Sequence, residues 1–237
     1  MLADQRLVAQ NVLMIQANPK GYFVTGADTD VGKTYIGCEI IKQLRYLDFA
    51  IETRKPAESG CTIDSTGNLI THDAHALHIA NDKLEPIERI APYRYQAAVA
   101  PHRAARLEHR VVYLEDLIHA CERSHPASCL MVEGAGGFYS PLAEDGLNAD
   151  LASALGLPVI IVVRNRIGAV NQALMTAEAV EKRQLPIAAI VLNQVDHQIE
   201  SAMDNKADLS VHCTYPIYAC NHEGHLETLF EKTREAD

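Results

Sequence analysis

Apolar positions along the chain fall into two alternating patterns. Short unbroken apolar runs occupy 22–25, 130–133, 159–163 and 187–192; they are rich in branched residues, and two of them follow a proline. Runs this short with no polar alternation suit strands buried on both faces. After Lys33 the spacing changes, and Ile36, Ile40, Ile41, Leu44 and Leu47 recur at three- and four-residue steps, the stripe of an amphipathic helix. Helical patterns also cover 114–123, 149–155 and 170–182. Strand and helix in alternation, with uniformly apolar strands, predict an α/β fold: a mostly parallel sheet with helices on both faces.

Size and charge narrow this picture. At ~150 residues per domain, 237 residues correspond to about 1.6 domains. No repeat or linker divides the chain, so a single domain over 20–237 is expected. Residues 1–19, with a short apolar stretch at 12–15 and one preceding base, Arg6, read as a disordered, frayed extension, with Met14 as a second candidate start. Twenty-one basic against thirty-one acidic residues leave a net charge of −10, which argues against a nucleic-acid partner. No apolar run reaches the ~18 residues of a membrane span, and the cytoplasm is the expected location. The six cysteines form no CxxC pair and read as reduced thiols.

The chemistry concentrates where the first strand ends. Gly26-Ala27-Asp28-Thr29-Asp30-Val31-Gly32-Lys33-Thr34 lies between a strand and a helix, the setting in which backbone N–H groups and a helix N-terminus bind phosphate. Lys33 would reach the β- and γ-phosphates, and the Thr34 hydroxyl would bind Mg²⁺. Five residues separate Gly26 from Gly32, one more than the strict spacing allows. A magnesium-nucleotide site needs a further acid, and Glu133 closes an apolar run just before Gly134-Ala135-Gly136-Gly137.

Together with Lys55-Pro56-Ala57-Glu58-Ser59-Gly60, Asp73-Ala74, Pro101-His102, Gly168-Ala169-Val170-Asn171 and Val191-Leu192-Asn193, these segments resemble dethiobiotin synthetase over about residues 20–200. The resemblance implies a P-loop NTPase-like fold. It also implies a ligase that uses ATP, Mg²⁺ and CO₂ or bicarbonate to close the ureido ring of 7,8-diaminononanoate in biotin synthesis. It carries catalytic roles to Lys33 and Lys55, and metal ligation to Thr34, Asp73 and Glu133. Asp30, Val31, Gly32, Tyr35, Gly134, Ala135 and Gly136 complete the ATP site, with Asn193 and Pro216 toward the base. Thr29, Ser59, Gly168 and Asn171 match substrate contacts, the last two contributed by the second subunit of a homodimer.

Some residues carry two readings. Asp73 is a ligand or only a helix cap before 74–80. Arg164 stands where many relatives have glycine and reads as a solvent-facing departure. The group Cys213, Cys220, His222 and His225 has no zinc spacing, and His72, His75 and His78 spread over a broad helix face, so both read as ordinary surface or loop residues. Two other P-loop classes share the phosphate loop. A cobyrinate-type amide ligase usually adds a glutaminase domain. A partition or cell-division switch ATPase carries an additional early lysine where this chain has Ala27 and Asp28.

Overall fold

The computed structural model of the chain describes residues 15–196 and 202–231. Its strands are β1 (Ile15–Gln16), β2 (Gly21–Gly26), β3 (Ile51–Arg54), β4 (Ala57–Ser59), β5 (Thr62–Ile63), β6 (Leu69–Ile70), β7 (Tyr93–Tyr95), β8 (Cys129–Gly137), β9 (Val159–Arg164), β10 (Ile187–Asn193), β11 (Ile217–Cys220) and β12 (Phe230–Glu231). Its helices are α1 (Lys33–Tyr46), α2 (Asp73–Ala80), α3 (Ile87–Ile90), α4 (Pro101–Leu107), α5 (Leu114–Ala120), α6 (Asn148–Leu155), α7 (Ala169–Lys182) and α8 (Asn205–His212).

Six parallel strands make the central sheet in the order β11-β10-β9-β2-β8-β3. Successive side chains on a strand point to opposite faces, so each strand feeds two cores. Val24, Met131, Ile160 and Val191 lie on one face under α1 and α2. Phe23, Val132, Ile161 and Leu192 lie on the other, under α6 and α7. On α1 the predicted stripe is the buried face: Ile36, Ile40, Ile41 and Leu44 are sealed from solvent. This is the α/β sheet with helices on both faces that the apolar pattern predicts.

Strand order reverses direction at β2, since β8 and β3 lie on one side and β9, β10 and β11 on the other. Ligands of open α/β sheets bind at such a point, beyond the carboxyl ends of the strands. The loop after β2 opens there.

Three boundaries differ from the sequence expectation. The run at 130–133 continues as strand to Gly137. The helix expected over 114–123 stops at Ala120, and the Glu122 carbonyl is taken by the Arg54 and Arg89 guanidiniums instead of a further helical turn. Residues 15–18 are not frayed. The Ile15 amide donates to Leu229 O at 2.8 Å, β1 pairs with β12, and the Asn18 amide donates to the Tyr22 hydroxyl at 2.7 Å. The domain therefore begins by Ile15, while residues 1–14 lie outside the described residues.

Candidate active site

The loop from Gly26 to Thr34 is wound tightly. Gly32 has φ of 81°, and a Cβ there would lie 2.2 Å from Asn193 Nδ2. Only glycine takes this conformation and approach without strain. Asn193, at the carboxyl end of β10, donates its amide to Val31 O at 2.9 Å and so supports the loop from below. Asp30 is also left-handed, with φ of 55°. The Asp28 carboxylate accepts from the Thr29 amide at 2.8 Å. Lys33 folds back toward its own loop, with Nζ 3.4 Å from Asp28 O.

Lys55 follows β3 and is buried, although a lysine after a strand is ordinarily solvated. Its Nζ lies 2.6 Å from Glu133 Oε1, 2.8 Å from Asp73 Oδ2 and 3.1 Å from Gly134 O. The Thr34 hydroxyl donates to the same Glu133 Oε1 at 2.8 Å. Thus Thr34 from the loop, Lys55 from β3, Asp73 from α2 and Glu133 from β8 converge, although they span a hundred residues. The Glu133 Oε2 atom is buried and accepts no hydrogen bond.

Burial alone would lower the Lys55 pKa, but the Glu133 and Asp73 carboxylates outweigh it and hold the ammonium above the ordinary lysine range. Burial pushes the Glu133 carboxyl up, against the pull of Lys55. Asp73, more open, is held low because Lys55 overcomes its burial. Lys33 is pushed down by burial and by the Lys55 charge.

These groups form one wall of a cavity of about 590 Å³. Thr29, Ser59 and Gly136 also border it, and Val99, Ala100, Pro101, Ala135 and Pro141 add apolar surface to its lining. A lining of charged and apolar groups together suits a ligand that carries polar reacting groups on an apolar body.

Residues 20–226 match the family described as AAA domain. The ATP-dependent dethiobiotin synthetase BioD of Anaeromyxobacter dehalogenans (strain 2CP-1) is 40% identical over 197 residues, covering 83% of this chain and 86% of that protein. The protein of the same name from Ruthia magnifica is 33% identical over 91% of this chain and 97% of its own length. The chain belongs to the dethiobiotin synthetase family. It is therefore a P-loop protein of a family of ATP-dependent ligases. Among solved structures, the signal recognition particle 54 kDa protein of Aeropyrum pernix K1 in complex with GDP has a TM-score of 0.50 and 17% identity, covering 93% of this chain and 46% of that one. That likeness concerns the fold alone.

The remaining residues that the dethiobiotin synthetase resemblance singles out lie elsewhere. Gly168 caps α7 with φ of 88°, and it and Asn171 are exposed and absent from the cavity wall. Tyr35, in the first turn of α1, donates to Gly224 O at 2.5 Å. Pro216 precedes β11 and hydrogen-bonds through its carbonyl to Ile190, at the amino end of a parallel strand. Its expected place near the base is corrected accordingly, because the loop and Asn193 lie at the carboxyl ends. The segment on that edge is the one after Cys220, which Tyr35 holds.

Arg164 is not a free solvent residue. It forks onto the Asp196 carboxylate, with Nε 2.9 Å from Oδ2. Cys220 is buried in β11 rather than on the surface, and His78 Nδ1 lies 2.7 Å from Glu85 O. All six cysteines are free.

Two organising residues escape sequence reasoning. Asn148 is fully buried; its Nδ2 donates to Ala135 O at 2.6 Å, and its Oδ1 accepts from the Ala135 amide at 2.9 Å, clamping the glycine-rich strand end. Glu58, inside the Lys55–Gly60 segment, binds the start of α2. Neither carries a local signal, since each acts on backbone eight or more residues away.

Proposed function

We propose that this chain catalyses ATP-dependent carboxylation and ring closure of 7,8-diaminononanoate to dethiobiotin, with release of ADP and phosphate. The observation that carries the reading is the convergence of Lys55, Thr34, Asp73 and Glu133 beside the Lys33 loop, in a cavity that apolar residues also line. Family membership supplies the reaction. The arrangement supports the roles.

One amine of the substrate attacks CO₂, forming an N–C bond and releasing a proton to give a carbamate. A carbamate oxygen then attacks the γ-phosphorus of ATP, the bond from that phosphorus to the β,γ-bridging oxygen breaks, and ADP leaves. The second amine attacks the carbonyl carbon of the mixed anhydride. Phosphate departs, the amine gives up a proton, and the ring closes. Phosphoryl transfer asks the protein mainly for alignment and compensating charge. Loop amides and Lys33 would hold the phosphates. Lys55, kept protonated by its two carboxylates, would carry positive charge to the carbamate and the moving phosphoryl group. Thr29 and Ser59 border the same space and would orient the diamine.

The donors present suit a hard divalent cation. Glu133 Oε2 is buried and without a protein partner, Asp73 opens to the cavity, and Thr34 offers a hydroxyl. Thr34, Asp73 and Glu133 would hold Mg²⁺, with nucleotide oxygens and water completing its shell. Bound there, the ion would offset charge on the phosphates.

Gly168 and Asn171, exposed at the start of α7, would receive the substrate carboxylate of a partner subunit in a homodimer. Ile167 and Met175, near them in the chain, are 79% and 62% exposed and would be covered by such a contact. A helix N-terminus favours an anion. A soluble cytoplasmic enzyme fits this reading, and no helix among the described residues is long and apolar enough to cross a membrane.

The test is phosphate release from Mg-ATP with diamine and bicarbonate added singly and together. Release only with both supports the reading, and release indifferent to the diamine overturns it. Lys33→Ala and Lys55→Ala are each expected to abolish most turnover. Lys42→Ala, on the exposed side of α1 against Glu39, should leave it nearly intact.

A further inference from the structure

Glu58 carries no role in the chemistry above, yet it is almost entirely buried beside it. Its Oε1 accepts from the backbone amides of His72 at 2.6 Å and Asp73 at 2.9 Å, and its Oε2 accepts from the Ala74 amide at 2.9 Å. These are the orphan donors at the start of α2, where the N-cap residue, His72, makes no side-chain cap of its own. A carboxylate on three such donors is a strong, charge-assisted anchor.

The consequence lies in what Asp73 is then free to do. An Asp in the first turn of a helix is drawn to the same N–H groups. Here they are already filled by Glu58, and the Asp73 carboxylate turns instead to Lys55, 2.8 Å away. Glu58 sits on β4, and β4 is fixed by its parallel ladder with β7. The other end of α2 is fixed as well, since Asn81 donates to Ile51 O at 2.9 Å and accepts from Arg45 at 3.2 Å.

We infer that Glu58 is a positioning residue for the phosphoryl-transfer centre: its buried carboxylate caps α2 and thereby sets Asp73 against Lys55. The catalytic consequence rests on the function proposed above; the structural consequence does not.

The test compares Glu58→Ala, Glu58→Gln, Asp73→Asn and the Glu58→Ala/Asp73→Asn double variant in the full chain. Without nucleotide, amide hydrogen exchange at His72, Asp73 and Ala74 should accelerate about tenfold or more in Glu58→Ala. Glu58→Gln, which keeps one acceptor oxygen, should fall between the two and provides the reading should the alanine variant fail to fold. The Mg²⁺ concentration giving half-maximal turnover should rise about tenfold in Glu58→Ala, with the KM for the diamine little changed. The double variant should then match Asp73→Asn alone, because Glu58 acts through Asp73.

Exchange that stays at the wild-type rate overturns the inference. So does a lowered melting temperature with an unchanged Mg²⁺ requirement, or losses that simply add in the double variant. Failure of the proposed function would appear separately, as wild-type phosphate release that ignores the diamine. In that event exchange and the Mg²⁺ dependence of binding a fluorescent ATP analogue still decide the role of Glu58.

Discussion

Deleting the Lys55 ammonium while leaving both carboxylates probes how the centre is held together. Lys55 and Glu133 are each 3% exposed, with 2.6 Å between Nζ and Oε1. In Lys55→Ala, Glu133 keeps the Thr34 hydroxyl but loses the cation in contact with it. Removing one partner of a buried ion pair costs about 3–5 kcal/mol, a large part of the ~5–15 kcal/mol of a whole domain. The variant has one way to reduce that loss, which is to protonate Glu133. Burial already pushes that carboxyl up, and without Lys55 the main opposing influence is gone.

The folded variant then holds a proton that the unfolded chain has released, so its stability falls as pH rises above the ordinary glutamate range. The slope approaches 1.36 kcal/mol per pH unit, the limit for one proton. In the wild type the same effect is weaker, because Lys55 opposes the upward push of burial on Glu133. Its Lys55 has a raised pKa, so the stability it contributes is fully present below the ordinary lysine range and is lost only at still higher pH. Urea unfolding at pH 5, 6.5 and 8 should therefore show curves that diverge toward alkaline pH. Lys55→Met/Glu133→Gln should recover most of the stability and remain inactive. Parallel pH curves for Lys55→Ala and wild type, or a double variant as unstable as the single one, would refute the reasoning.

Three further outcomes are expected. Gly32→Ala places a Cβ 2.2 Å from Asn193 Nδ2 at φ of 81°; about 1–2 kcal/mol of backbone strain and about 1 kcal/mol for the lost Asn193–Val31 bond should weaken a fluorescent ATP analogue about 30- to 150-fold, and a change under twofold would count against that geometry. Burial would raise the Glu52 carboxyl, but the Ser124 and His125 amides, the Ser128 hydroxyl and Arg54 hold it at about 2. Glu52 thus stabilises the fold above its ordinary pKa of 4.5 and ceases to as pH falls toward 2; Glu52→Gln should be less stable than wild type at pH 7, on the order of 3 kcal/mol, with the gap in thermal melts narrowing below pH 4.5 and closing only near pH 2. Asn171→Ala should raise the diamine KM while nucleotide affinity stays level; an unchanged KM would argue against a site shared between subunits.

The parts of this centre legible in the sequence are those whose chemistry depends on local spacing. Gly32 must be glycine because its own φ is left-handed, and Lys33 and Thr34 follow it directly. Lys55 is legible through its neighbours Pro56 and Ser59, and the sheet through runs such as 159–163 that no amphipathic pattern explains. Contacts made across the sheet edge leave no such trace. Glu58 looks like one more charged residue until α2 folds 14 residues later and presents its amides. Asn148 reads as the start of a helix, although its side chain closes on the backbone of Ala135. Pro216 fails for a related reason. A short match to a proline-containing loop says nothing about which end of an edge strand it occupies, and strand direction is set by pairing with β10.

The charge balance of the centre also bears on its need for a cation. Lys33 and Lys55 face Asp73 and Glu133, two positive groups against two negative ones, so the centre is near neutral before any ligand arrives. Neither lysine is idle: Lys55 is already bound between both carboxylates, and Lys33 lies against its own loop. A nucleotide triphosphate adds several negative charges to that balanced set. Loop amides and the dipole of α1 offset about half an elementary charge, and Lys55 cannot turn to a phosphate without leaving Glu133 uncompensated. A divalent cation taken up with the nucleotide would resolve both demands, and Glu133 Oε2, buried and without a hydrogen-bond partner, would be free to contact it. On the proposed function Lys55 would then be the group whose partner changes between the empty and the loaded site, so its replacement should alter stability without nucleotide and turnover with it.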